Sequence, residues 1–206
     1  REEFTYWYPN DHRHTAPAHI SNHLTFFLFH HTKIFPKKYW PKIMSFNGML
    51  IREGSKMSKS KGNVIPLIDI ARKYSADLYR LFVLSTSDMD SMVDWRESEV
   101  NSVRKKLERF ANLALRAAES EPASELEVID EWLISRFYTR LKKSREQGES
   151  LEIRDYCINL FFELMNELSH YAKRVSAEQF NSVVRIILPD WLTALEPVIP
   201  HACEEV

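Results

Sequence analysis

The stretch Lys56-Met57-Ser58-Lys59-Ser60-Lys61-Gly62-Asn63 decides how this chain is read. Lys56, Lys59 and Lys61 are interleaved with small hydroxyl residues, and Gly54 and Gly62 stand on either side. Such a segment can move while holding several ammonium groups near one point. Lysine is a compact charge on a flexible stem that can follow phosphate oxygens as a bond breaks, and serine hydroxyls and backbone N–H groups complete the hydrogen bonding. The loop therefore suits a polyphosphate, although neither G-x-x-x-x-G-K-[ST] nor G-x-G-x-x-G occurs. A solvated basic loop is the plain alternative.

Upstream of the loop, residues 43–51 are the best strand candidate, broken by Asn47-Gly48. That dipeptide marks hairpin turns and also fits a strand ending at a site. Phe4-Thr5-Tyr6-Trp7-Tyr8-Pro9 is aromatic and β-favouring, which predicts a short extended segment running into a turn. Residues 19–35 contain no breaker, and Ile20, Leu24, Phe27, Leu28 and Ile34 predict a helix; Phe26 and Phe29 predict burial on more than one side.

Downstream the pattern turns helical. Pro66 fits a first helical position for a segment through Tyr74, and Asp77 can cap a second one carrying Leu78, Leu81, Phe82 and Leu84. Val100, Val103, Leu107, Phe110, Ala114 and Ala117 predict a long amphipathic helix from Trp95 to about Ser120, ended before Pro122. Further helices are expected over 126–146, 151–173 and 176–188, with Pro189-Asp190-Trp191 opening a last one. The fold class is an α-rich α/β chain with a strand-bearing front (1–64), a helical connection (65–95) and an all-α bundle (96–206).

Composition agrees with that division. The 206 residues carry a net charge of −1, with 44% apolar and 28% charged residues, as expected of a soluble globular protein. Residues 1–64 hold 10 Lys+Arg against 4 Asp+Glu, and the remainder 18 against 25, so the cationic part is the part that carries the loop. No apolar stretch is long enough to span a membrane and no signal segment opens the chain, so a cytoplasmic protein is expected. Two cysteines, Cys157 and Cys203, cannot build a disulfide framework and read as reduced core thiols. Six of eight histidines fall between His12 and His31, but H-E-x-x-H is absent because Ile20 follows His19; no metal site is expected. Residue 1 is arginine, and the chain reads as a piece of something longer.

Lys56-Met57-Ser58-Lys59-Ser60 is the full KMSKS signature of class I aminoacyl-tRNA synthetases. Glu3-Phe4-Thr5-Tyr6-Trp7-Tyr8-Pro9, Asn22-His23-Leu24-Thr25-Phe26-Phe27, Ala76-Asp77-Leu78-Tyr79-Arg80-Leu81 and Val93-Asp94-Trp95-Arg96 resemble the archaeal/eukaryotic-type leucyl-tRNA synthetases. Pro200-His201-Ala202-Cys203-Glu204-Glu205 is similar to the P-H-x-x-E-E segment of the anticodon-binding bundle in the leucyl, isoleucyl and valyl group. Asn22-His23-Leu24, where isoleucyl and valyl enzymes carry an Arg-Gly-Gln-like element, favours leucine.

The resemblance implies a remnant of a Rossmann-type nucleotide-binding fold followed by the bundle, and a monomer that uses ATP with Mg2+, leucine and tRNA-Leu. It implies that Lys56 and Lys59 contact the ATP phosphates, with Lys59 stabilising departing pyrophosphate. Met57 would lie near the adenine, Ser58 and Ser60 would shape the loop, Asn22 and His23 would line the nucleotide side, and Asn47-Gly48 would sit at the strand end facing the site. Arg104, Lys105, Arg109, Arg140 and Lys143 are the candidates to track a tRNA backbone. Ala16 and Ala18 stand where related sequences carry a glycine and an acidic residue, leaving His19 or Asp11 as substitutes. No H-x-G-H element precedes the loop, so the 206 residues alone are expected to be inactive. The alternatives are a non-catalytic tRNA-binding module and an isoleucyl or valyl synthetase segment.

Overall fold

Two small parallel strand pairings organise the front of the molecule, as a computed structural model describing residues 2–58, 60 and 62–206 shows. Helix α1 (Glu2–Trp7) opens it. The extended segment expected at 4–9 is thus a helix over most of its length, because rings four residues apart stack: Phe4 and Tyr8 centroids lie 4.6 Å apart. β1 (His12–Thr15) pairs in parallel with β2 (Ile43–Phe46), placing His14 opposite Ser45. Between them run a 3-10 turn (Pro17–His19), a π-helical turn (Ile20–Leu24) and α2 (Thr25–Ile34). Burial on several sides of α2 does not occur: Phe26 and Phe29 are 64% and 68% exposed. The buried residues of that segment are Leu24 and His31. His31 shares Nδ1 with the Phe27 carbonyl at 2.8 Å and sits against Tyr8, Phe27 and Phe35.

Asn47-Gly48 is a change of sheet rather than a hairpin turn. β3 (Leu50–Arg52) leaves β2 to pair antiparallel with β4 (Ser55–Lys56) and in parallel with β5 (Val93–Trp95). α3 (Leu67–Tyr74) and α4 (Ala76–Thr86) pack on this sheet; Pro66 stands one residue before α3. The cap of α4 is Ser75, whose side chain accepts from the Leu78 N–H at 3.2 Å, not Asp77. Ile70, Leu78, Phe82, Val93, Trp95 and Val100 form the core here, with Trp95 edge-on to Phe82.

The rest is helical. α5 (Glu97–Ala118) and α6 (Val128–Glu149) are followed by α7 (Ile153–Cys157), a π-helical turn (Ile158–Glu163) and α8 (Leu164–Tyr171). α9 (Ala177–Leu195) continues through Pro189, where the sequence predicted a new helix, and α10 (Pro200–Glu204) closes the chain. The second core joins Phe110, Phe137, Phe161, Trp191 and their neighbours, including Cys157, whose burial pushes its thiol up to about 12. Cys203 is likewise buried and pushed up to about 12, so both cysteines are packing residues. Leu81 of α4 belongs to this core, while Leu78 and Phe82 on the same helix belong to the other.

Candidate active site

The lysine loop grows out of a hairpin. Glu53 and Gly54 turn β3 into β4 with φ values of 47° and 74°. Asp94, on β5, grips that turn: both carboxylate oxygens accept the Gly54 N–H at 3.1 Å, and Arg96 Nε donates to one of them at 2.8 Å. The Gly54 N–H first, then the Arg96 guanidinium, holds the Asp94 carboxyl below the usual carboxylate range.

Past β4 the chain is folded back by Asn63. Its Oδ1 accepts the Ser58 N–H at 2.8 Å and its Nδ2 donates to the Lys56 carbonyl at 3.2 Å. Ser58 Oγ and Ser60 Oγ share a hydrogen bond of 2.6 Å. Gly62, at φ 64°, supplies the left-handed backbone that lets the chain return to Asn63. Met57 and Ser58 are half-buried, and Lys56 and Ser60 are exposed. Lys59, the residue expected to meet the leaving group, lies outside the described residues.

A cleft of about 440 Å3 lies between β1, α4 and α7, lined by His12, His14, Asn47, Gly48, Tyr79 and Arg154 among others. Gly48 is wedged there: its N–H donates to the Met89 carbonyl at 2.6 Å, and a Cβ would overlap the Ser91 carbonyl. Asn47 Nδ2 donates to the Gly48 carbonyl at 2.8 Å. His12 and His14 share one face of β1, as alternate strand residues do, and their Nε2 and Nδ1 atoms meet Ser45 Oγ at 2.5 and 2.8 Å.

The other predicted residues lie elsewhere. Asn22 Nδ2 donates to the Ala18 carbonyl at 3.1 Å, and its Oδ1 accepts the His23 N–H. His23 borders a separate hollow with Trp7, Tyr8, Arg13 and Phe27, so it does not share the cleft of Asn47 and Gly48. Of the proposed substitutes for the missing acid, Asp11 pairs with Lys42 at 2.6 Å and His19 stands edge-on to His23. Among the described residues no three His, Cys, Asp or Glu side chains converge to hold a metal. No helix of the described residues is long and apolar enough to cross a membrane.

On the bundle, Lys105 and Lys143 are exposed, Arg104 approaches Glu108 at 3.8 Å, and Arg109 donates to Ser169 Oγ at 3.0 Å. Arg140 differs from them. Its guanidinium donates to Glu163, Glu167 and Asn159, and its side chain is only 12% exposed, so it ties α6 to α8 and the preceding π turn rather than standing free. Sequence reasoning gave Asn63 and Asp94 no role. The signal for Asn63 was its place beside Gly62, where an amide can close a turn on backbone groups; Asp94 became visible only when β5 was seen beside β3.

Residues 1–96 match the family described as tRNA synthetases class I (I, L, M and V), and residues 130–206 match the anticodon-binding domain of tRNA ligases. The chain is thus similar to the class I tRNA synthetases at its front and to tRNA-ligase anticodon-binding domains at its back. Its curated relatives include the leucine–tRNA ligase of Staphylothermus marinus, 48% identical, and those of Thermoplasma acidophilum and Pyrococcus furiosus, each 41% identical. Each comparison covers 100% of this chain and 22% of the relative, so the chain spans about a fifth of the length of these ligases. Solved class I synthetases share the fold. A leucyl-tRNA synthetase of Agrobacterium radiobacter K84, in a ternary complex with tRNA and LeuAMS, superposes with a TM-score of 0.76 at 21% identity, over 96% of this chain and 26% of that one. A Mycobacterium tuberculosis methionyl-tRNA synthetase in complex with methionyl-adenylate gives 0.82 at 16% identity, over 100% and 45%. The synthetase signature in this chain thus sits on a hairpin braced by Asp94 and closed by Asn63.

Proposed function

We propose that this chain is the segment of a leucine–tRNA ligase that carries the lysine loop and the helical bundle. The full enzyme activates leucine with ATP to leucyl-adenylate and passes the leucyl group to the terminal ribose of tRNA-Leu. The observation that carries this reading is the Lys56–Asn63 loop, presented from a braced hairpin and closed by one asparagine. As the leucine carboxylate attacks the α-phosphorus, negative charge builds on departing pyrophosphate. Lys56 and Lys59, carried on that loop, lower the energy of this state more than that of bound ATP. Ser58 and Ser60, bonded to each other, hold the loop in shape, and Met57 offers backbone groups to the adenine. Asn47 and Gly48 line the cleft side and His23 a neighbouring nucleotide-side hollow, with Asn22 next to it in the chain. Mg2+ would arrive with the triphosphate.

In this reading residues 1–64 belong to the catalytic core, 65–95 connect, and 96–206 lie along tRNA-Leu, with Arg104, Lys105, Arg109 and Lys143 meeting phosphates. The enzyme works as a monomer in the cytoplasm. The leucine identity is supported by the curated relatives at 41–48% identity, which favours it over an isoleucyl or valyl enzyme. In the full-length ligase, Lys59→Ala should depress leucine-dependent ATP–pyrophosphate exchange by roughly 10²–10³-fold, the usual cost of one lost charge-stabilising group. Unchanged exchange would remove the role given to Lys59. Salt-dependent tRNA binding with no ATP-dependent activity at all would turn the reading to a non-catalytic RNA-binding module.

A further inference from the structure

Asp77 is a buried carboxylate, 4% exposed, that faces away from the loop and into the far end of the chain. It accepts from the Ala202 N–H at 2.6 Å, from His201 Nδ1 at 2.9 Å and from the His201 N–H at 3.4 Å, so it caps α10 from another part of the molecule. One turn further along α4, Arg80 donates to the carbonyls of Val198 and Pro197 at 3.0 and 2.5 Å. Two charged residues of one helix thereby hold the backbone of residues 197–202.

The opposite side of α4 is fixed to the sheet that carries the loop. Trp95, fully buried on β5, lies 5.1 Å from the Phe82 ring and 5.9 Å from that of Tyr79. β5 pairs with β3, β3 with β4, and Lys56 ends β4. A continuous chain of packed rings, strand pairing and charged hydrogen bonds therefore links the lysine loop to the last helix of the bundle.

We propose that Asp77 and Arg80 are positioning residues that set the angle of the bundle against the lysine loop, so that tRNA held along the bundle meets the activated amino acid in register. The proposal rests on the ligase reading above. It separates two half-reactions: adenylate formation needs the loop within the catalytic core but not the bundle, whereas transfer to tRNA needs loop and bundle in a fixed relation. A rigid link between two sites is worth a coupling that can be measured as a change in the affinity of one ligand.

The test uses the full-length ligase with Asp77→Asn and, as a second variant away from that buried carboxylate, Arg80→Met, which keeps the stem and removes the donors. Both are read in ATP–pyrophosphate exchange and in tRNA charging. Exchange should stay within about twofold while the KM for tRNA rises about tenfold, and the Asp77→Asn, Arg80→Met double variant should lose less than the product of the singles. Charging kinetics indistinguishable from wild type in Arg80→Met, or exchange and charging falling in parallel, would overturn the proposal. A wild-type protein that carries out exchange with leucine but never charges tRNA would instead overturn the ligase reading.

Discussion

Asn63 closes the lysine loop on Lys56, its Nδ2 donating to the Lys56 carbonyl at 3.2 Å while its Oδ1 holds the Ser58 N–H at 2.8 Å. A single amide thus ties the first and third residues of the signature together. Asn63→Ala removes both bonds, each worth ~1 kcal/mol net, and the Ser58 amide should exchange with solvent about fivefold or more faster. Hydrogen exchange measured at Ser58 checks this, and an unaltered rate would mean that the loop keeps its shape by other contacts.

Gly48 leaves no room for a side chain, because a Cβ there would overlap the Ser91 carbonyl. Backbone cannot yield as a flexible side chain can. Gly48→Ala should destabilise the fold by about 2–3 kcal/mol, read as a lower urea midpoint at constant slope.

Asp130 supplies a pH dependence. Burial works to raise its carboxyl, but hydrogen bonds from Tyr171, the Glu127 N–H and Gln179 together hold it below the usual range. A carboxylate depressed in the folded state contributes stability that is complete above its unfolded value of about 3.9 and is lost as pH falls through the lower folded value. The urea midpoint of the wild type should therefore drop below about pH 4 more steeply than that of Asp130→Asn. Parallel acid limbs for the two proteins would contradict this.

The basic residues of the bundle should divide into two groups. Arg140→Met leaves Glu167, which is 15% exposed, with Arg136 alone and deprives Asn159 Oδ1 of its donor, and should cost about 1–3 kcal/mol of stability. Lys105→Ala and Lys143→Ala should change stability by less than about 0.5 kcal/mol. Each should instead lower the salt dependence of tRNA binding by roughly one ion. Thermal melts and salt titrations of the full-length ligase distinguish the groups.

The long helices were legible in the sequence because burial repeats along them at helical spacing, as with Val100, Phe110, Ala114 and Ala117, all fully buried in α5. What escaped was decided between segments. His12–Thr15 has no apolar alternation and becomes a strand only beside β2. Pro189 stays inside α9 because its neighbours Leu188 and Trp191 are held in the core, outweighing the local cost of one missing N–H. The aromatic run at 4–8 has strand propensity, but its rings stack on a helical period. In the candidate site, the lysines and glycines were visible as a pattern, while the partners that shape the loop, Asp94 and Asn63, depend on which strand lies beside β3 and on how the loop returns.

Leu81 carries a consequence for dissection of the molecule. It sits on α4 yet fills the bundle core, between two residues, Leu78 and Phe82, that serve the neighbouring core. A piece beginning at residue 96 would lack this plug and open a void that, for a leucine, costs about 2–5 kcal/mol, a large share of the margin of a small domain. The span matched to the anticodon-binding family is therefore shorter than the unit that packs as one core, and a bundle meant to stand alone should be cut upstream of Ser75, the cap of α4.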